Sequence, residues 1–212
     1  MGLPENKVCL PIQERAIIEH TLLAFVRHSY VDELILAVRE EERGEMERIA
    51  AEQGKSVRVV IGGATRQASV YAAIVDLGSE IVLVHDGARP FVSEACITAC
   101  VEAMDQYDGA IPALLVEGQI CNVGSGRKKK RQPKPEFLRG SLYGAETPQC
   151  FHTKILKRCH ERHKDSPLAT DDSSLLELEG YRVGVVSGDL RNIKITTPLD
   201  LLVAEAYFGE RE

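Results

Sequence analysis

The sequence contains no apolar run of about 18 residues, the length that marks a membrane-spanning helix. Its opening stretch, MGLPENKVCLP, lacks the apolar core of a signal peptide. Both absences lead us to expect a cytoplasmic protein with no membrane partner. The chain also lacks a basic excess: 26 Lys and Arg stand against 32 Asp and Glu, a net charge of −6. A general nucleic-acid-binding domain is usually basic, so no nucleic-acid partner is expected. The run RKKKRQPKP, residues 127–135, is a short basic patch in an acidic chain and reads as a solvated loop. Six cysteines, Cys9, Cys96, Cys100, Cys121, Cys150 and Cys159, include no CxxC pair. Cys96 and Cys100 lie four apart on one helix with no matching second pair. They read as small buried thiols of a reducing compartment and not as metal ligands. No internal repeat is present, which excludes a solenoid.

What is there is a balanced globular composition, 44% hydrophobic and 27% charged over 212 residues, enough for one domain with a real core. Short apolar runs alternate with helical patterns. RAIIEHTLLAFVRH places Ile17, Ile18, Leu22 and Phe25 on one helical face. The run ELILAVR is a strand, 40–53 a helix, and SVRVVIGG a strand closed by glycines. TRQASVYAAIVDL is a helix with Thr65 as N-cap, EIVLVH a strand, SEACITACVEAMDQY a helix opened by Ser93, and GAIPALLV a strand. Near residue 117 the rhythm breaks into a Gly-, Pro- and Lys-rich stretch that reads as an inserted arm or long hairpin, about 117–140. Helices resume at 153–163 and 171–179, YRVGVVSG is a strand, and TTPLDLLVAEAYF is a helix with Pro198 in its first turn. The expected fold is α/β and Rossmann-like: one domain over 1–212, with a mostly parallel sheet and helices on both faces.

In such a sheet a ligand sits beyond the carboxyl ends of the strands. Three unusual clusters fall there: GGATRQAS, HDGARP and GDLRNIKITTP. Each sets glycine, which permits close backbone approach, beside a charged side chain. Together they point to a phosphorylated or nucleotide ligand. Asp86 can hold Mg²⁺, which takes one or two carboxylates plus phosphate oxygens, or it merely caps its turn with Arg89 as partner. Arg66 and Ser69 either face the ligand or form a solvated helix start. Lys194 stands between Ile193 and Ile195 in an extended segment, so its side chain points opposite to theirs. It is either a point charge for a phosphate or a surface lysine. Thr170-Asp171-Asp172 precedes an apolar helix and can serve as its N-cap.

The stretches GGATRQASV, VLVHDGARPFV, AETPQCF, TDDSSLLELEG and NIKITTPLDLLVAE occur in one order at matching distances. Over about residues 1–208 the chain resembles the 2-C-methyl-D-erythritol 4-phosphate cytidylyltransferase family of the non-mevalonate isoprenoid route. The resemblance implies transfer of a cytidylyl group from CTP to the sugar-alcohol phosphate, with Mg²⁺ on the triphosphate and release of pyrophosphate. It implies that Lys7, Arg139 and Lys194 are catalytic. Lys7 stabilises transition-state charge, and the other two position methylerythritol phosphate. Gly63, Arg66, Ser69 and Asp86 then bind the nucleotide, Asp86 also serves the metal, and Arg89, Thr147 and Thr170 contact the acceptor. The resemblance further implies a homodimer with exchanged arms, Arg139 reaching its site from the partner subunit's arm.

The chain departs from the family pattern in three places. Gly87 stands where alanine is usual. The family opens with a strand and a GxGxR-Met-Gly loop, whereas this sequence opens at Met1-Gly2, just after that arginine. We therefore expect Met1 to be an internal methionine and the first strand and loop to be missing from this stretch. Loss of such a phosphate cradle removes several donors, each worth about 10²–10³ in rate. Loss of an internal strand leaves each buried neighbouring backbone group unpaired, at about 1–3 kcal/mol apiece. At the base of the arm, Gly118-Gln119-Ile120-Cys121 replaces the family's Asp-Thr-Ile-Lys. Two alternatives stay open: a cytidylyltransferase for another alditol phosphate such as ribitol 5-phosphate, and a catalytically impaired nucleotide-binding relative.

Overall fold

Alternating apolar runs and amphipathic helices fold as the periodicities require in the computed structural model, which describes residues 7–117, 141–164 and 170–209. In chain order the strands are β1 (Pro11–Ile12), β2 (Arg15–Ala16), β3 (Leu34–Val38), β4 (Val57–Ile61), β5 (Ile81–Val84), β6 (Gly109–Leu115), β7 (Tyr143–Ala145), β8 (Gln149–His152) and β9 (Val183–Ser187). The helices are α1 (Ile17–Val26), α2 (Arg43–Ala51), α3 (Arg66–Ile74), α4 (Glu94–Glu102), α5 (Thr153–Arg162), α6 (Asp172–Leu178) and α7 (Pro198–Gly209). Thr65 caps α3 by accepting from the Ala68 amide, Ser93 caps α4 by accepting from Cys96, and Pro198 is the first residue of α7. All three agree with the sequence reading.

The sheet is mixed. β3 pairs with β4 in parallel, and β6 with β9 in parallel. β7 and then β8 follow the other edge of β6, both antiparallel, and β8 also pairs antiparallel with β5. β8 arrives from a hairpin rather than from a crossover helix, so it runs opposite to its neighbours. That hairpin closes with Val116 donating to the Leu142 carbonyl at 3.0 Å, at the base of the arm. The arm itself lies outside the described residues. Three elements had no periodic signal: β7, β8, and the β1–β2 hairpin, which turns at Gln13 and Glu14 with φ of 46° and 66°.

Alternation along each strand builds the two faces. Leu34, Leu36 and Val38 of β3 pack on one side against Ile18 and Leu22 of α1 and Met46 and Ile49 of α2. Ile35, with Val82 and Val84 of β5, packs on the other side against Ile74 of α3, Leu156 and Cys159 of α5, and Leu175 and Leu176 of α6. This is the period-two pattern of a sheet covered on both faces. Four thiols, Cys96, Cys100, Cys150 and Cys159, are buried and free. Burial pushes Cys150 up to about 12 and Cys159 up to about 11, so both are inert. Among the described residues no helix is long and apolar enough to cross a membrane.

A cavity of about 430 Å³ separates β3 from β5, lined by Ile35 to Val38 on one side and Ile81 to Val84 on the other. The Leu34 amide bonds Ser56 and the Gly62 amide bonds Val38, so Leu34, Leu36 and Val38 face β4. Thr153 donates to Glu80, which turns Glu80, Val82 and Val84 toward β8. The N–H groups of Ile35, Ala37, Ile81 and Leu83 therefore face the cavity, where no described strand meets them. Their amide hydrogens are expected to exchange faster than those of Leu36, Val82 and Val84 in the same strands. Equal protection, measured by NMR-detected hydrogen exchange, would contradict this arrangement.

Candidate active site

The loop leaving β5 is fixed from below. His85 is fully engaged as a neutral imidazole: the Thr147 hydroxyl lies 3.0 Å from Nδ1, and Nε2 lies 3.0 Å from the Arg89 carbonyl. The Thr147 oxygen also accepts from the Asp86 amide at 3.1 Å. The hydroxyl thus donates to Nδ1, and Nε2–H donates to the carbonyl. A second proton on the ring would break the Thr147 bond. Burial is the larger force, and it holds the His85 pKa down to about 4. The next residues turn tightly, with the Arg89 amide on the Asp86 carbonyl at 3.0 Å. Thr21 donates to the Gly87 carbonyl at 2.9 Å. A Cβ on Gly87 would meet Ile18 Cδ1 at 3.0 Å, a methyl that has to yield a few tenths of an ångström where alanine replaces glycine.

Above this base one acid gathers three cations. Asp86 Oδ2 accepts from Lys194 Nζ at 3.0 Å and from Arg89 Nε at 3.3 Å. Burial alone would raise the Asp86 carboxyl, but the hydrogen bond and charge of Lys194, with Arg89 and Arg66, outweigh it and hold it below the usual carboxylate range. Lys194 is brought there by the alternation read from the sequence. Ile195 is buried and Ile193 packs beside it in the cluster around Phe91 and Phe208, so the lysine between them faces out.

Two buried polar residues support this cluster, and the sequence reading missed both. Asn192 is completely buried; its Nδ2 donates to the Thr147 carbonyl at 2.8 Å and to Glu146 Oε2 at 3.4 Å, and its backbone carbonyl accepts from Arg89 Nη1 at 2.6 Å. Glu146 also accepts from the Asp189 amide at 3.2 Å and lies 3.9 Å from Arg89. Arg89 is thereby held between Asp86 and Glu146. The available signal was adjacency: Glu146 precedes Thr147, and Asn192 lies two before Lys194. His85, which precedes Asp86, was overlooked in the same way.

The third cluster joins the end of β4 to the start of α3. Ser69 accepts from the Gly63 amide at 3.1 Å and donates toward the Thr65 carbonyl at 2.9 Å, folding the glycine strand-end onto the helix. The approach is closer than any side chain allows, since a Cβ on Gly63 would sit 2.4 Å from Ala68 Cβ. Gly63→Ala is expected to destabilise the protein by about 1–3 kcal/mol through overpacking. A thermal or urea melt of the variant matching the parent would refute this. Arg66 opens α3, partly exposed, with Nη1 on Asp172 Oδ2 at 2.7 Å.

Asp86, Arg89 and Lys194 are in direct contact, and the charge of Arg66 reaches Asp86. Gly63 and Ser69 stand beside Arg66 at the start of α3. Thr147 is 5% exposed, with its hydroxyl turned inward to His85 and the Asp86 amide. Lys7 is exposed, in a one-turn helix whose Val8 borders Gly87. Thr170 is exposed and does not cap α6. Asp171 does, accepting from the Ser174 amide at 3.0 Å. Arg139 and Gly118-Gln119-Ile120-Cys121 lie outside the described residues. The arrangement concentrates positive charge around one carboxylate at the sheet edge, as binding and transfer of phosphoryl groups require.

The family model described as 2-C-methyl-D-erythritol 4-phosphate cytidylyltransferase matches residues 1–210. A protein of that name from Bacillus cereus is 41% identical over 211 residues, 98% of this chain and 91% of its own length. One from Bacillus pumilus is 40% identical, covering 97% and 90%. Among solved structures, the 4-diphosphocytidyl-2C-methyl-D-erythritol synthase of Anaerococcus prevotii superposes with a TM-score of 0.84 at 31% identity, over 94% of this chain and 88% of that one. The 2-C-methyl-D-erythritol 4-phosphate cytidylyltransferase of Thermus thermophilus gives 0.77 at 32% identity, over 96% and 94%.

Proposed function

The chain belongs to the 2-C-methyl-D-erythritol 4-phosphate cytidylyltransferase family, and from that premise we infer how its own residues carry the reaction. The enzyme transfers a cytidylyl group from CTP to 2-C-methyl-D-erythritol 4-phosphate in isoprenoid biosynthesis. An acceptor phosphate oxygen forms a bond to the α-phosphorus. The bond from that phosphorus to the bridging oxygen breaks, and pyrophosphate leaves with the electron pair. Little covalent chemistry falls to the protein, so rate comes from positioning and from stabilising charge on the transferring group.

The observation that carries the assignment of roles is the contact of Lys194 Nζ with Asp86 Oδ2 at 3.0 Å. It joins two separate motifs at the strand ends and leaves a partly exposed ammonium facing the site. In our reading Lys7 supplies charge to the transferring group, Lys194 positions the acceptor phosphate beside it, and Gly63, Arg66 and Ser69 hold the cytidine nucleotide. Arg89 faces the acceptor phosphate, Thr170 lines the same side, and Thr147 acts by fixing Asp86. Arg139 completes the acceptor site from the partner copy of an arm-exchanged homodimer.

Asp86 fits a Mg²⁺ ion. Its two cationic partners share Oδ2, and among the described residues Oδ1 accepts no hydrogen bond. No cluster of three or more His, Cys, Asp or Glu forms a cage among the described residues. Mg²⁺ needs none, since it usually takes one or two carboxylates with substrate phosphates. Bound there, it would neutralise triphosphate charge.

The acceptor assignment is tested by initial rates of pyrophosphate release with equal concentrations of methylerythritol phosphate and ribitol 5-phosphate. The expected result is a clear preference for methylerythritol phosphate. Equal or faster turnover of ribitol 5-phosphate would overturn it.

A further inference from the structure

The carboxylate that follows the α6 cap has no part in capping. Asp171 does that work, with its oxygens on Ser174, Ser173 and Gln149. Asp172 is 1% exposed, yet each of its oxygens has a long-range partner. Oδ2 accepts from Arg66 Nη1 at 2.7 Å, and Oδ1 accepts from His160 Nε2 at 2.9 Å. His160 is itself 2% exposed and lies under the ring of Tyr71, centroids 6.1 Å apart. Among the described residues its Nδ1 is buried with no partner, so the tautomer with the proton on Nε2 is the one that leaves only a lone pair unsatisfied. Tyr71 and Gln67 of α3 in turn reach Glu161 of α5 and the His163 carbonyl just past its end.

The charges of this group are arranged in a line from core to surface. The His160 imidazole orients a buried carboxylate, and the carboxylate grips one edge of a guanidinium whose remaining surface is open: the Arg66 side chain is 43% exposed and that of Asp172 1%. An arginine on a helix start would otherwise sample many rotamers. Held on one nitrogen by a fixed anion, it is restrained to few rotamers, and its charge reaches Asp86.

We propose that Asp172, oriented by His160, is a positioning residue for nucleotide recognition: it holds the Arg66 guanidinium in the geometry that binds the triphosphate nucleotide. This rests on the reading of Arg66 as a nucleotide-binding residue. Asp172→Asn keeps the size of the side chain and removes its charge. The expected result is a rise in the CTP dissociation constant and KM of roughly tenfold, the loss of a large part of the ordering of one arginine side chain. The kcat at saturating CTP should be unchanged, because Asp172 is buried behind Arg66 and acts only through it.

The experiment measures CTP binding by calorimetry and the KM–kcat split by pyrophosphate release for Arg66→Ala, Asp172→Asn, the double variant and His160→Gln. Arg66→Ala is expected to weaken CTP binding, and Asp172→Asn to add nothing on that background, the signature of two residues acting as one unit. His160→Gln should shift CTP binding in the same direction by a smaller factor, and it serves as the test if Asp172→Asn fails to fold. If Arg66→Ala weakens CTP binding while Asp172→Asn or a folded His160→Gln leaves it unchanged, the positioning role is wrong and Arg66 keeps its own. If Arg66→Ala leaves CTP binding unchanged, the reading of Arg66 fails and this inference with it.

Discussion

Lys194→Met is expected to lower kcat for cytidylyl transfer by about 10²–10³, the usual cost of removing one preorganised cationic group that holds the reacting phosphate in place. The lysine is well placed for that role and poorly placed for a purely structural one. Its side chain is 45% exposed, and its partner Asp86 keeps Arg89 when the lysine is gone. An exposed pair of this kind contributes at most about 1 kcal/mol to stability, so the melting temperature of the variant should stay close to that of the parent. Methionine retains an apolar stem of similar length and removes the charge. The measurement is steady-state pyrophosphate release alongside a thermal melt. A folded variant within threefold of the parent rate would remove Lys194 from the reaction.

The second large effect concerns pH. His85 has a folded-state pKa of about 4 against its ordinary 6.5, because burial disfavours the imidazolium and the ring is fully bonded as the neutral form. A depressed histidine means that the unfolded chain takes up a proton first as pH falls. Stability is therefore complete above about pH 6.5, declines as pH drops from 6.5 toward 4, and from this group declines no further below that. The difference corresponds to a loss of roughly 3 kcal/mol. Carboxylates act in the window beneath. Asp86 and Asp171 are held below the usual carboxylate range, and Asp200, bonded by Thr196 and Thr197 at the start of α7, is held down to about 2. Each of these contributes stability above its unfolded pKa that is lost as pH falls through the folded one. Urea unfolding at pH 7, 5.5 and 4.5 in metal-free buffer is expected to show the decline. His85→Gln should flatten it between pH 6.5 and 4. A parent protein equally stable at pH 7 and 4.5 would contradict the buried, neutral His85.

The residues that the sequence made legible are those whose role depends on near neighbours. Thr65 and Ser93 announce helix starts because capping is a three-residue geometry. Lys194 announces its direction because two isoleucines flank it in an extended segment. Glycines at strand ends mark close backbone approach, and Gly63 meets that description, since a Cβ there would lie 2.4 Å from Ala68 Cβ. What escaped depends on pairs distant in the chain. Nothing near Asp172 indicates that its oxygens bond Arg66 and His160, and nothing near Asn192 indicates that it ties Arg89 to Glu146. A buried polar side chain has no period, so these residues read locally as capping or turn positions. β8 was hidden for a related reason: four residues after Pro148, one strand turn beyond the arm, show neither helical nor alternating pattern until β5 and β6 are set on either side.

The most direct test is product identity. Purified protein is incubated with CTP, Mg²⁺ and 2-C-methyl-D-erythritol 4-phosphate and followed by phosphorus NMR. The phosphomonoester resonance of the acceptor should disappear, and diphosphate resonances of a cytidylylated product should grow with one pyrophosphate released per acceptor consumed. An unchanged monoester resonance in the presence of folded protein and CTP, with or without pyrophosphate release, would contradict cytidylyl transfer at the Asp86–Lys194 site.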